Sequence, residues 1–112
     1  MSKREIVYRS AAERDFGVAV AWYAAQAGRA VADRFIDRVL AAEDKNVDFP
    51  ELGSTSFAHL VRPLELRAMS VSGFPYLLFY MATVDTIDVI RILHTSSDIP
   101  EHLRAPDVCG GV

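Results

Sequence analysis

The chain reads as an α+β domain: an antiparallel helical hairpin packed on one face of a small twisted, mainly antiparallel sheet, with a short C-terminal helix. Three observations predict it. The first half holds two long stretches whose apolar residues recur every three or four positions, parted by Gly28. The second half holds strand-like runs joined by two short turns, Ser72-Gly73 and Val84-Asp85-Thr86. Asp98 and Pro100 then supply a cap and a first-turn proline for a last helix over residues 98–103.

The elements follow in order. Residues 5–9 form a short first strand, expected at an edge of the sheet. Ser10 and Glu13 make a Ser-x-x-Glu capping box, so the first helix is predicted over residues 11–26. Phe16, Ala19, Val20, Tyr23 and Ala27 form its buried stripe, and Val18, Trp22 and Ala25 form a second stripe beside it. Gly28 ends the helix, because glycine takes up left-handed conformations without steric cost. The second helix spans residues 30–47, with Ala32, Phe35, Ile36, Val39 and Leu40 inward and Asp33, Arg34, Asp37, Arg38 and Asp44 solvated. Pro50 breaks it, and residues 53–60 read as a loop. Strands are predicted over residues 64–71, 74–81 and 87–94. On the last, period-two alternation sets Ile90 and Ile92 against the hairpin and leaves Val89, Arg91 and Leu93 on an open face. Arg67 shares that face in one of the possible registers.

Length and composition narrow the function. A chain of 112 residues is one domain, here assigned to residues 1–104, with 105–112 as a flexible tail. Apolar residues make up 51% of it, generous for a small globule, so part of the apolar surface is expected to await a partner. No apolar run approaches the roughly 18 residues of a membrane span, and the N-terminus lacks the apolar region of a signal peptide; a cytoplasmic protein is expected. The single cysteine, Cys109, sits in the Gly-rich tail. The net charge is −3, and neither half of the chain carries a basic excess. A protein held chiefly by phosphates would be basic, so sequence-specific nucleic-acid binding by this chain alone is not expected.

Few constellations for chemistry are present. His59, His94 and His102 form no metal-binding spacing, and no metal or cofactor is expected. Phosphate-loop and nucleophile-elbow motifs are absent from the sequence. A metal-free ribonuclease needs a base, an acid and a cation at the phosphorane; His94, Arg67, Arg91 and Glu65 are the groups at hand. Tyr76 and Tyr80 share one strand face, where tyrosines commonly pack and offer a hydroxyl.

The ordered set Trp22-Tyr23, Ala32-Asp33-Arg34-Phe35, Phe49-Pro50-Glu51-Leu52-Gly53, Leu66-Arg67, the strand from Phe74 to Tyr80, Arg91-Ile92-Leu93-His94 and Asp98-Ile99-Pro100 resembles the RelE/ParE superfamily of toxins from type II toxin–antitoxin systems. It looks most like the ParE branch. The resemblance implies an inhibitor of DNA gyrase that blocks replication, arrests growth and is neutralised by a ParD-like antitoxin in a hetero-oligomer. It implies target contacts at Arg67, Arg91, His94 and Tyr80, and antitoxin contacts at Trp22, Tyr23 and Phe16; Trp22 and Tyr23 read equally well as core. The mRNA-cleaving branch places an arginine where this chain has Tyr76, and basic residues where it has Thr95-Ser96-Ser97. Those departures, with the acidic net charge, favour gyrase inhibition. A ribosome-dependent endoribonuclease using His94 with Arg67 or Arg91, or a non-toxic interaction module, is the alternative.

Overall fold

The computed structural model describes residues 4–61 and 64–103; the expected tail and Cys109 lie outside the described residues. The order of elements is β1 (Glu5–Tyr8), α1 (Ser10–Ala27), α2 (Arg29–Asp48), a 3-10 turn (Ala58–Val61), β2 (Arg67–Ser70), β3 (Tyr76–Ala82), β4 (Thr86–His94) and α3 (Ile99–Leu103). The sheet runs β1-β4-β3-β2. β2, β3 and β4 are an antiparallel meander, and β1 joins at the edge, parallel to β4.

The helical hairpin turns on one residue. Gly28 has φ 95° and ψ 165°, a conformation that a side chain would oppose. It ends α1 and begins α2 at once. The start of α1 differs from expectation. Arg9 is its N-cap, no side chain caps it, and Ser10 is already helical. The capping box does not form, because the carbonyl of Arg9 accepts the Glu13 amide while its own amide binds Val89 of β4. The strand pairing of β1 therefore sets where α1 begins.

Two apolar clusters sandwich the sheet. On the hairpin side Ala12, Ala19, Tyr23, Ala32, Phe35 and Val39 meet Val71, Leu78, Tyr80, Ile87, Val89 and Ile92. On the other side Val61, Leu66, Phe79, Ile90, Leu93, Ile99 and Leu103 form a second cluster. The face expected to be open is thus covered by the 3-10 turn and α3. The alternation on β4 also differs from expectation. Phe79 pairs with Arg91 and Tyr80 with Val89, so Ile90 is an inserted residue of a bulge. It shifts parity and places Val89 with Ile92 on the hairpin side, and Ile90 with Leu93 on the other. On α2 the buried stripe drifts towards Ala42, Glu43 and Asn46, which leaves Leu40 exposed.

Glu43 and Asn46 are the buried polar residues on the hairpin side. The Tyr8 hydroxyl donates to Oε2 of Glu43. Neither amide atom of Asn46 has a hydrogen-bond partner among the described residues. Burial, and secondarily the charge of Asp44, pushes the Glu43 carboxyl from 4.5 up to about 7. Between those values the unfolded chain loses this proton first, so the folded state binds more protons and stability falls as pH rises. Above about pH 7 the loss is complete. Its full extent is on the order of 2–3 kcal/mol. Glu43→Gln removes this titration and leaves a neutral acceptor for Tyr8. Thermal unfolding should show the variant gaining on the wild type from pH 4.5 to 7.5, and melting higher by roughly 5–10 °C at pH 8. Parallel profiles for the two proteins would contradict the assignment.

Candidate functional site: the cleft between α1 and the ends of β3 and β4

α1 lies across the sheet with Ala19 and Tyr23 inward, one position beyond Val18 and Trp22. Val18 and Trp22 stand one turn apart on the outer flank, 69% and 56% exposed. The second apolar stripe read from the sequence is thus a surface. Beside it opens a cleft of ≈ 410 Å³ whose floor is Ala19, Tyr23, Pro75 and Tyr76, with His94 at its end. A second depression of ≈ 350 Å³ shares Val18, Tyr76 and His94 and extends towards Arg14, Ser97 and His102. Together they make one continuous trough along the flank of α1.

Its floor is rigid. Tyr23 packs against Phe35 at 5.2 Å and edge-on to Phe74 at 5.1 Å between ring centroids. Trp22 stands edge-on to Tyr23 at 5.2 Å. Tyr76 and His94 are direct cross-strand partners, with rings 5.1 Å apart at 78°. Burial first, then Tyr23 and Asp15, raises the Tyr76 hydroxyl above its ordinary range, so it serves as a neutral donor and not a base. His94 Nδ1 accepts the Ser96 backbone amide at 3.0 Å and contacts Ser96 Oγ at 2.7 Å. The proton of a neutral His94 therefore sits on Nε2.

Each residue singled out in the sequence now has a place. Trp22 is exposed beside the cleft, Tyr23 is core at its floor, and Phe16 is half-buried between Tyr8 and Phe35. Tyr80 is fully buried, and its hydroxyl donates to Pro50 O at 2.8 Å and accepts the Gly53 amide at 2.9 Å. A Cβ on Gly53 would stand 2.7 Å from that oxygen, so the Phe49-to-Gly53 loop docks on Tyr80 only with glycine there. Arg67 donates from Nη1 to the carbonyls of Glu51 and Gly53 at 2.9 and 2.8 Å. Tyr80 and Arg67 thus hold the Phe49-to-Gly53 loop.

Arg91 does not lie on an open face. Its guanidinium turns around the edge of β4 to Asp15 of α1, with Nε–Oδ2 2.6 Å and Nη2–Oδ1 2.9 Å. The same Oδ2 accepts the Ile92 amide at 3.0 Å, on the side of β4 where β1 has ended, while β3 pairs with the other side. Asp15 was not anticipated, although it falls in the buried stripe of α1 and Arg91 falls among apolar neighbours. Arg67 and His94 pair with Tyr80 and Tyr76, four positions apart on β3. That is about 13 Å along a strand. Arg67 thus lies well apart from His94, and Arg91 is held by Asp15. Among the described residues no cluster of three or more metal-binding side chains occurs, and no helix is long and apolar enough to cross a membrane.

The architecture is thus a helical hairpin on a β1-β4-β3-β2 sheet, with a partly exposed aromatic cleft on its flank. The same fold occurs in a solved structure titled "Chromosomal ParDE TA system from P. aeruginosa", with a TM-score of 0.66 over 81% of this chain and 95% of that one, at 12% identity. Residues 6–99 match the family described as "ParE toxin of type II toxin-antitoxin system, parDE". The chain belongs to that family and is a ParE-family toxin of a type II toxin–antitoxin system. No curated protein matches the sequence.

The hydrogen bonds of Tyr80 yield a stability test. Tyr80→Phe leaves the buried Gly53 amide without its acceptor and should cost about 1–3 kcal/mol in urea unfolding. His94→Ala, at the rim of the cleft, should cost under about 1 kcal/mol. Equal losses for the two would contradict the separation of core from cleft.

Proposed function

We propose that this toxin acts in the cytoplasm by binding, as an inhibitor of DNA gyrase, and is held inactive by a ParD-like antitoxin seated in the cleft beside α1. The observation that carries the reading is the separation of Arg67 from His94 and the pairing of Arg91 with Asp15. General acid–base cleavage of RNA requires a base, an acid and a phosphate-stabilising cation within reach of one phosphodiester. Here His94 borders the cleft, and the two cations named with it, Arg67 and Arg91, are engaged by the fold.

The aromatic cleft suits a partner helix or extended segment. Trp22 is large, half-exposed and set on a rigid floor, the profile of an interface anchor. Val18, one turn away, extends the apolar strip. Burying such a strip offsets the cost of ordering a partner segment. His94 and Tyr76 at the end of the cleft offer polar contacts that fix its register.

Expression of the chain alone should arrest growth and induce the SOS response, and the purified protein should inhibit supercoiling by gyrase while leaving mRNA intact in a translating extract. Rapid mRNA cleavage abolished by His94→Ala, with gyrase unaffected, would overturn the reading. Harmless expression with no antitoxin complex would instead mark an interaction module. Trp22→Ala should weaken the antitoxin complex by about 10- to 100-fold, or roughly 1.4–2.7 kcal/mol, with the melting temperature of the free toxin unchanged.

A further inference from the structure

One flank of α2 carries charge of a single sign. Arg34, Arg38 and Lys45 share a stripe of the helix and border two adjoining depressions, of ≈ 490 and ≈ 120 Å³, between α2 and the end of β2. No acidic residue lines either one. The depression beside Arg67 differs: Glu51 and Glu65 line it together with Arg4 and Arg67. On α2 the acids fall one residue earlier, at Asp33, Asp37 and Asp44, about 100° round the helix, and Asp33 already meets Arg29. Arg34, Arg38 and Lys45 have no ion-pair partner among the described residues.

Across the larger depression lies the turn after β2. The Phe74 amide donates to the carbonyl of Val71 at 3.1 Å, and Gly73, third in the turn, has φ 81°, as a type II turn requires. The amides of Ser72 and Gly73 and the hydroxyl of Ser72 bond to no described residue. Cationic side chains, a hydroxyl and backbone amides therefore border one strip with no carboxylate among them. These are the groups that hold nucleic-acid backbones. From Arg34 to Lys45 the helix rises about 17 Å, the length of about five nucleotides along one strand of a duplex. A protein partner is instead anchored by large apolar side chains at a core poor in charge. None of the large exposed apolar residues, such as Trp22, Leu40 or Phe49, lines this strip.

We infer that the basic flank of α2 and the turn after β2 form a phosphate-binding strip, separate from the aromatic cleft, whose occupant is the backbone of duplex DNA held by the toxin's target. This rests on the gyrase reading above for the source of the DNA. Phosphate contacts position a duplex without reading its sequence. Three cations release few counterions, so the strip strengthens a complex on DNA and does not hold DNA by itself at physiological salt. That agrees with the net charge of −3.

The test compares binding of the toxin to gyrase alone and to gyrase assembled on duplex DNA. The wild type should bind the DNA-bound enzyme at least tenfold more tightly, and this gain should shrink as salt rises. The exposed double variant Arg34→Gln/Arg38→Gln should lose most of the gain and flatten its log–log salt slope by about 2. Its melting temperature and its affinity for the antitoxin should match the wild type. Ser72→Pro suits the second position of such a turn and removes one amide and the hydroxyl; it should fold and lose part of the gain. A gain that is absent, or that survives in the double variant, overturns the inference. Weakened antitoxin binding with the gain intact would assign the strip to an acidic protein segment, and overturns it too. Failure to bind gyrase in either form overturns the gyrase reading. The strip is then judged on a free duplex at low salt, which the wild type should bind at least tenfold more tightly than the double variant; equal binding there refutes it.

Discussion

The structure hinges on how β4 is satisfied where β1 stops. β1 has four residues, and its pairing with β4 ends at Val89, leaving the amide of Ile92 facing outward at a partly buried position. Asp15 fills the gap from α1. One carboxylate accepts the Ile92 amide and both guanidinium bonds from Arg91, with the two side chains only 14% and 12% exposed. A carboxylate that answers a backbone donor and a cation together ties a helix to a strand in a single orientation. It fixes the height and rotation of α1 on the sheet, and hence which stripe of α1 faces outward.

The exposed flank of α1 follows from that rotation. With Asp15, Ala19 and Tyr23 inward, Val18 and Trp22 are carried to the surface beside Tyr76 and His94. The ion pair that orients the helix also engages Arg91, which lines the trough together with His94. The same fold feature thus exposes an apolar flank and engages a cation beside it. At the far end of β3, Tyr80 and Arg67 hold the Phe49-to-Gly53 loop.

The architecture was legible in the sequence because helical and strand periodicities were strong and the turns carried glycine at Gly28 and Gly73, both with positive φ. What the sequence concealed has physical causes. The bulge at Ile90 adds one residue to a strand of uniform apolar character, so no break in pattern announces the change of parity. The second apolar face is covered by short segments whose burial depends on long-range packing. The Ser10 box matched a local motif, yet β1–β4 pairing had already set the start of α1. Arg91 was visible as a charge among apolar neighbours, but its partner Asp15 was not, because only the fold bridges the 76 residues between them. Trp22 and Tyr23 could not be divided into surface and core from an arc spanning two stripes; that division needed the rotation that Asp15 imposes.

The most direct measurement is a double-mutant cycle on this pair, with Asp15→Ala, Arg91→Ala and the combined variant followed by urea unfolding. Each single change leaves a group of the clamp without its partner, and each should cost about 2–4 kcal/mol. The pair should couple by at least roughly 1.5 kcal/mol, so that the double variant loses clearly less than the sum. Additive losses, or a coupling near zero, would contradict the claim that Asp15 and Arg91 together set α1 on the sheet.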